Sequence, residues 1–84
     1  SMLRESFPQF SLDMISVQVL YPGADPEEVE EGIVLKIEEA LETVEGIKQC
    51  TTTSSENVGS ASIEVQDGYD VTEVLDNVKA KIDA

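Results

Sequence analysis

The ten residues from Tyr21 to Glu30, Tyr-Pro-Gly-Ala-Asp-Pro-Glu-Glu-Val-Glu, constrain the fold of this chain more than any other stretch. Pro22 fixes φ and Gly23 accepts a positive φ, so the pair forces a turn. Asp25 is placed to cap a helix, with Pro26 at its first position and Glu28 at its third. That is a capping box, with acidic side chains at the positive end of the helix dipole. A strand must therefore end near Tyr21, and a helix must begin at Pro26.

Hydrophobic periodicity extends this frame in both directions. In residues 13–21, Ile15, Val17, Val19 and Tyr21 share one face and Ser16 and Gln18 the other, which predicts a strand with one buried side. Residues 26–45 run at helical period, with Val29, Ile33, Ile37, Ala40, Leu41 and Val44 on one stripe. Gly32 weakens this helix by about 1 kcal/mol relative to Ala and is read as a close approach to the sheet. Gly46 is the expected helix stop. The Thr-rich residues 47–54 suit a second, weakly buried strand. A turn is expected over Ser55–Gly59. Ala61, Ile63 and Val65 then alternate with Ser62, Glu64 and Gln66 in a third strand. After the Asp67-Gly68 turn, Asp70 and Glu73 form a second capping box, and Val71, Val74, Leu75, Val78 and Ile82 make the stripe of a last helix.

The order β-α-β-β-α predicts an α+β fold. One right-handed crossover leaves a gap that the third strand fills by antiparallel pairing. This is the ferredoxin-like split β-α-β without its final strand, with two helices on one face of a mainly antiparallel sheet. Residues 1–10 carry no amphipathic period and read as a loose lead-in, Ser1 (with or without Met2) being an addition for expression. Residues 11–84 form the domain. In the complete fold the missing strand lies beside strand 13–21, so that edge is expected to stand open. Three outcomes follow: residues 3–10 fold back over it, two chains pair edge to edge, or the chain stays a weakly stable monomer. Pro8 opposes the first because it has no N–H for a ladder. An edge-to-edge dimer is the favoured expectation.

Charge and residue usage exclude several functions. Eighteen acidic and five basic residues give a net charge of −13. Nucleic acids and anionic membrane surfaces both require basic patches. The ordinary meaning of the charge is a solvated acidic face; attraction of cationic compounds is the functional alternative. There is no His, and Cys50 is the single cysteine. The usual general base, a Cys–His pair, a disulfide and a zinc site of paired cysteines are all excluded. Cys50 is expected as a small, half-buried thiol on a strand. No catalytic, metal or cofactor-binding residues are assigned, and the chain is read as a non-enzyme. No apolar stretch approaches the roughly 20 residues that cross a bilayer.

The wording of the motifs adds a resemblance. Tyr-Pro-Gly-Ala-x-Pro-Glu-Glu-Val-Glu at 21–30 resembles the first periplasmic porter segment of resistance–nodulation–division (RND) efflux pumps. Phe7-Pro8 precedes the first strand as a Pro does in such pumps. Ile37-Glu38-Glu39-Ala40-Leu41 is similar to the family's P-I-E-x-x-L, with Lys36 where Pro is common. Val44-Glu45-Gly46-Ile47-Lys48 is similar to I-x-G-V-K. Thr53-Ser54-Ser55 with Gly59 resembles S-x-S-x-x-G, and Asp67-Gly68-Tyr69-Asp70 resembles x-G-T-D with Tyr for Thr. The resemblance implies a piece of a proton-driven, trimeric multidrug or metal exporter, on the periplasmic side of a bacterial inner membrane. Its partners would be other porter subdomains and two further subunits. It also implies that the last helix lines the trimer axis, through Glu73, Asp76, Ala80 and Asp83, opposite the apolar stripe. Two other readings stand beside it. One is a stand-alone ferredoxin-like sensor or binding module, since fold does not fix function. The other is an acyl carrier protein, whose modified Ser is imitated by Ser11-Leu12-Asp13-Met14, although a strand pattern follows where a helix is needed.

Overall fold

In the computed structural model, which describes residues 3–8 and 12–84, four strands form one sheet. They are β1 (Arg4–Ser6), β2 (Met14–Leu20), β3 (Ile47–Ser55) and β4 (Val58–Val65), in the order β1-β2-β4-β3 with every neighbouring pair antiparallel. Between β2 and β3 run α1 (Pro26–Val29), a π-helical segment (Glu30–Val34) and α2 (Leu35–Leu41); α3 (Val71–Ile82) follows β4. Because β4 lies between β2 and β3, the β2-to-β3 crossover is the split β-α-β of the ferredoxin-like fold, as the element order predicts.

The core lies between the sheet and the helices. Ile15, Val17, Val19, Ala61, Ile63 and Val65 supply the sheet side, and Val29, Ile33, Val34, Ile37, Leu41, Val74 and Val78 the helix side. Full burial of side chains such as Ile63 or Val78 stabilises by about 1.5–3 kcal/mol each.

The start of the first helix forms as its sequence dictates. Tyr21 C=O accepts the Ala24 N–H at 3.1 Å and Gly23 has φ +86°, the pattern of a type II turn with Pro22 at its second position. Asp25 Oδ1 accepts the Glu28 N–H at 2.8 Å, and Glu28 Oε1 accepts the Asp25 N–H at 3.1 Å, completing the box. At α3 the cap is one-sided: Asp70 Oδ1 accepts from Thr72 N–H at 2.8 Å and Glu73 N–H at 3.4 Å.

The helical run departs from the expected single helix 26–45. The Leu35 N–H bonds to the carbonyl of Glu30, five residues back, which widens the turn. The widened turn lets Ile33 and Val34 both face the sheet, where a strict 3.6-residue period admits only Ile33. The site of closest approach is Gly59 on β4. A Cβ there would lie 3.0 Å from Ile33, 3.1 Å from Val29 and 3.2 Å from Val34. Gly32, expected in that role, instead faces the Tyr21 ring, 3.2 Å from where its Cβ would sit. The last helical residue is Leu41, so Gly46 does not stop the helix. It lies in the turn before β3 with φ +90°, under the Tyr69 ring.

The β3–β4 turn is also tighter than expected. Ser55, Val58 and Gly59 belong to strands, leaving Glu56-Asn57 as the loop. Asn57 takes φ +68°, which a short polar side chain tolerates.

The lead-in needs the largest correction. Arg4–Ser6 pair with Gln18–Leu20 of β2, and Leu3 and Phe7 pack against the core. Lys79 of α3 sits 5.6 Å from the Phe7 ring centroid, within cation–π range. Pro8 follows the strand and uses its carbonyl, which accepts the Ser16 N–H at 3.1 Å. Its missing N–H is therefore no obstacle. The edge expected to stand open is covered by the chain's own N-terminal residues, in the place of the fourth ferredoxin-like strand. The edge-to-edge dimer through β2 thereby loses its premise.

Candidate interface surfaces

Among the surfaces outside the core are the outer side of α3 and the sheet face away from the helices. On α3, Val74 and Val78 are buried, and Val71, Leu75 and Ile82 pack partly against the core. This leaves Glu73, Asp76, Ala80 and Asp83 all exposed. Helical spacing puts Glu73, Asp76 and Ala80 on the side opposite the stripe. Asp83, at the C-cap, also turns towards β1, where it meets Glu5. A hydrogen bond with the Asp83 carboxylate, followed by partial burial and the nearby negative charge, pushes the Glu5 carboxyl above its ordinary value. Lys36 and Lys81 line the same cleft.

The open sheet face is built from the alternate residues of each strand. Its rows, read across β2, β4 and β3, are Met14-Glu64-Gln49, Ser16-Ser62-Thr51, Gln18-Ser60-Thr53 and Leu20-Val58-Ser55. Ser6 and Arg4 of β1 extend the last two rows, and Ser16 is buried. Arg4 and Glu64 are the charged residues of these rows, and Glu64 meets Lys48 at 3.6 Å. In a chain of net charge −13, an almost neutral, hydroxyl-rich face is a marked asymmetry. Most of the acids lie instead on the helices and at their ends, among them Asp25 to Glu42 and Asp70 to Asp83.

Cys50 is a free, half-buried thiol on β3, as expected. Burial, and then the Glu38 charge, push its pKa up, which makes it a poor nucleophile. Among the described residues no three His, Cys, Asp or Glu side chains are grouped to hold a metal ion, and no helix is long and apolar enough to cross a membrane. Ser11, the imitation of a carrier serine, lies outside the described residues, as do Ser1, Met2, Gln9 and Phe10. The strand that starts at Met14 stands where a carrier would need a helix.

The comparison with protein families decides between these readings. The AcrB/AcrD/AcrF family matches residues 3–84, which takes in β1 and every later element. The chain belongs to that family. It is 31% identical over 81 residues to the swarming motility protein SwrC of Bacillus subtilis, covering 96% of this chain and 7% of that protein. It is 29% identical over 77 residues to the multidrug resistance protein MdtC of Photorhabdus laumondii, covering 92% of this chain and 7% of MdtC. MdtC of Yersinia enterocolitica is 39% identical over 59 residues, 70% of this chain and 6% of that protein. The chain thus spans less than a tenth of the length of these relatives. The RND family to which its turns and caps point is the one found, and neither alternative reading is favoured.

The four α3 positions were reachable from the sequence as the complement of an apolar stripe. The neutral sheet face was not: strand alternation marks which residues point outward, but only the register puts the rows side by side. The approach of Asp83 to Glu5 depends on β1, a strand without a periodic signature.

Proposed function

We propose that this chain is a porter subdomain of a proton-driven RND exporter, on the periplasmic side of a bacterial inner membrane. The observation that carries the reading is the family match over residues 3–84, together with relatives more than ten times as long. The chain contributes structure to the transport channel and carries no reaction of its own. The multidrug resistance protein MdtC, by its name, suggests amphiphilic drugs as the cargo of the parent.

Two surfaces divide the structural work in this reading. The outer side of α3, with Glu73, Asp76 and Ala80, meets its counterparts from two further subunits at the trimer axis, while Asp83 of the same sequence-derived set is held against Glu5. The neutral sheet face contributes the porter wall and packs beside other porter subdomains. Low charge suits that role, because a charged surface resists desolvation on packing.

The test is export by the full-length parent in a host lacking its own efflux systems. A fluorescent amphiphilic cation should accumulate less in cells making the parent, and a proton uncoupler should abolish the difference. Equal accumulation at matched membrane expression would overturn the reading.

A further inference from the structure

With β1 lying along β2, the long free edge of the sheet is β3. Among the described strands it pairs with β4 alone, and on the other side the N–H and C=O groups of alternate residues face outward. Proteins blunt such edges with Pro, Lys, bulges or very short strands. Here those devices are confined to one end: Lys48 and a register shift between Ile47 and Gln49. From Cys50 to Ser55 the strand is regular, contains no Pro and no charge, and carries three successive β-branched threonines.

At the start of this regular stretch, on the helix side, lies a recess of 380 Å³ lined by Glu38, Leu41, Glu42, Ile47 and Cys50. Leu41 and Ile47 give it apolar walls, and the two carboxylates give it negative charge. Further along the edge, the Thr52 hydroxyl donates to Glu38 Oε2 at 3.1 Å, and the Ser54 hydroxyl donates to Glu30. The helix carboxylates thus accompany the strand along its helix-side face.

We infer that the β3 edge is a docking site for an extended segment with Lys or Arg at alternate positions, added to the sheet as a fifth strand. Backbone ladder bonds supply the attachment, and alternate side chains supply the selectivity. A residue paired opposite Cys50 points to the same side as Cys50, and so into the recess. A Lys or Arg there lays its aliphatic stem on Leu41 and Ile47 and brings its charge to Glu38 and Glu42. The next alternate residues come opposite Thr52 and Ser54, beside Glu38 and Glu30. A second copy of this chain is the wrong occupant, because the same carboxylates would then face one another. Net charge adds to that repulsion, at −13 for each copy.

The test uses a capped peptide of alternating Thr and Lys, as long as β3, titrated into the isotope-labelled chain and followed by amide NMR. Saturable shifts should centre on Cys50–Ser55. Replacing Lys by Glu in the peptide should abolish them. The double variant Glu38→Gln/Glu42→Gln, both exposed positions, should weaken binding about tenfold or more through loss of charge-assisted contacts. Two peptides N-methylated on alternate backbone nitrogens should differ: the set facing β3 loses binding and the opposite set keeps it. Equal binding by both methylated peptides, shifts spread over the helices without β3, no saturable binding, or a dimer of the chain alone through β3 would each overturn the proposal.

Discussion

Asn57 Oδ1 accepts the N–H of Gly23 at 2.8 Å, joining the tip of the β3–β4 hairpin to the Pro-Gly turn before α1. The backbone of Asn57 adds two bonds: its carbonyl accepts from Tyr21 N–H at 2.7 Å, and its N–H donates to Ala24 C=O at 3.0 Å. One residue thereby fixes the direction in which the first helix leaves the sheet. Asn57→Gly keeps the positive φ but removes the side-chain acceptor. It should destabilise by about 1 kcal/mol, and Asn57→Val, which also resists that φ, by more. Thermal unfolding reads the order: wild type, then Asn57→Gly, then Asn57→Val, with about 4–8 °C lost per kcal/mol in a domain of this size.

The Gly46–Tyr69 contact gives a second test. A Cβ on Gly46 would fall 2.5 Å from the Tyr69 ring, at φ +90°. Gly46→Ala should therefore destabilise through both clash and backbone strain, by about 1–3 kcal/mol. In a Tyr69→Ala background the clash is gone and only the strain is left. A double-mutant cycle should show Gly46→Ala costing less there than in the wild type.

Glu5 gives a pH dependence with a definite sign. Its carboxyl is raised above the ordinary value of 4.5 by the Asp83 hydrogen bond, burial and the Asp83 charge. The folded chain therefore holds this proton to higher pH than the unfolded chain does. Its stabilisation is complete below pH 4.5 and is lost as pH rises through the higher folded value. Glu5→Gln should match wild-type stability at low pH and exceed it increasingly above pH 4.5, as measured by denaturant titration across pH. Because Glu5 lies in β1, the protection of the Arg4–Ser6 amides relative to their intrinsic exchange rates should fall over the same range in the wild type alone.

The net charge of −13 sets the response to salt. The Lys48–Glu64 ion pair, at 3.6 Å, is largely exposed and offsets little of the repulsion among the helix carboxylates. Screening should relieve that repulsion, so the melting temperature should rise between low and moderate ionic strength. A flat or falling curve would show that self-repulsion has little influence on stability.

Much of the fold was legible because local signals and long-range packing agree. The Asp25–Glu28 box, the alternation of Ala61, Ile63 and Val65, and the α3 stripe each state their structure within a few residues. The misses share the opposite property. Arg4-Glu5-Ser6 is exposed throughout, and becomes a strand because β2 offers it an edge. Val34 falls outside a strict 3.6-residue stripe, and joins the core only through the π turn over Gly59. Asn57 reads as an ordinary turn residue until folding brings it to Gly23, 34 positions away in the chain. The exposure of Glu73, Asp76 and Ala80 was legible from the stripe opposite them, their role at a trimer axis being the family's implication, while the neutral sheet face needed the strand register.

Inter-subunit cross-linking in the full-length parent, freed of other cysteines and carrying Cys50→Ser, tests the proposed role of α3 most directly. Single cysteines at Asp76 or Ala80 should form disulfide-linked subunits on mild oxidation, whereas one at Thr51, on the open sheet face, should not. Failure at both α3 positions, with a control pair elsewhere in the parent cross-linking normally, would contradict a porter subdomain that meets its neighbours through this helix.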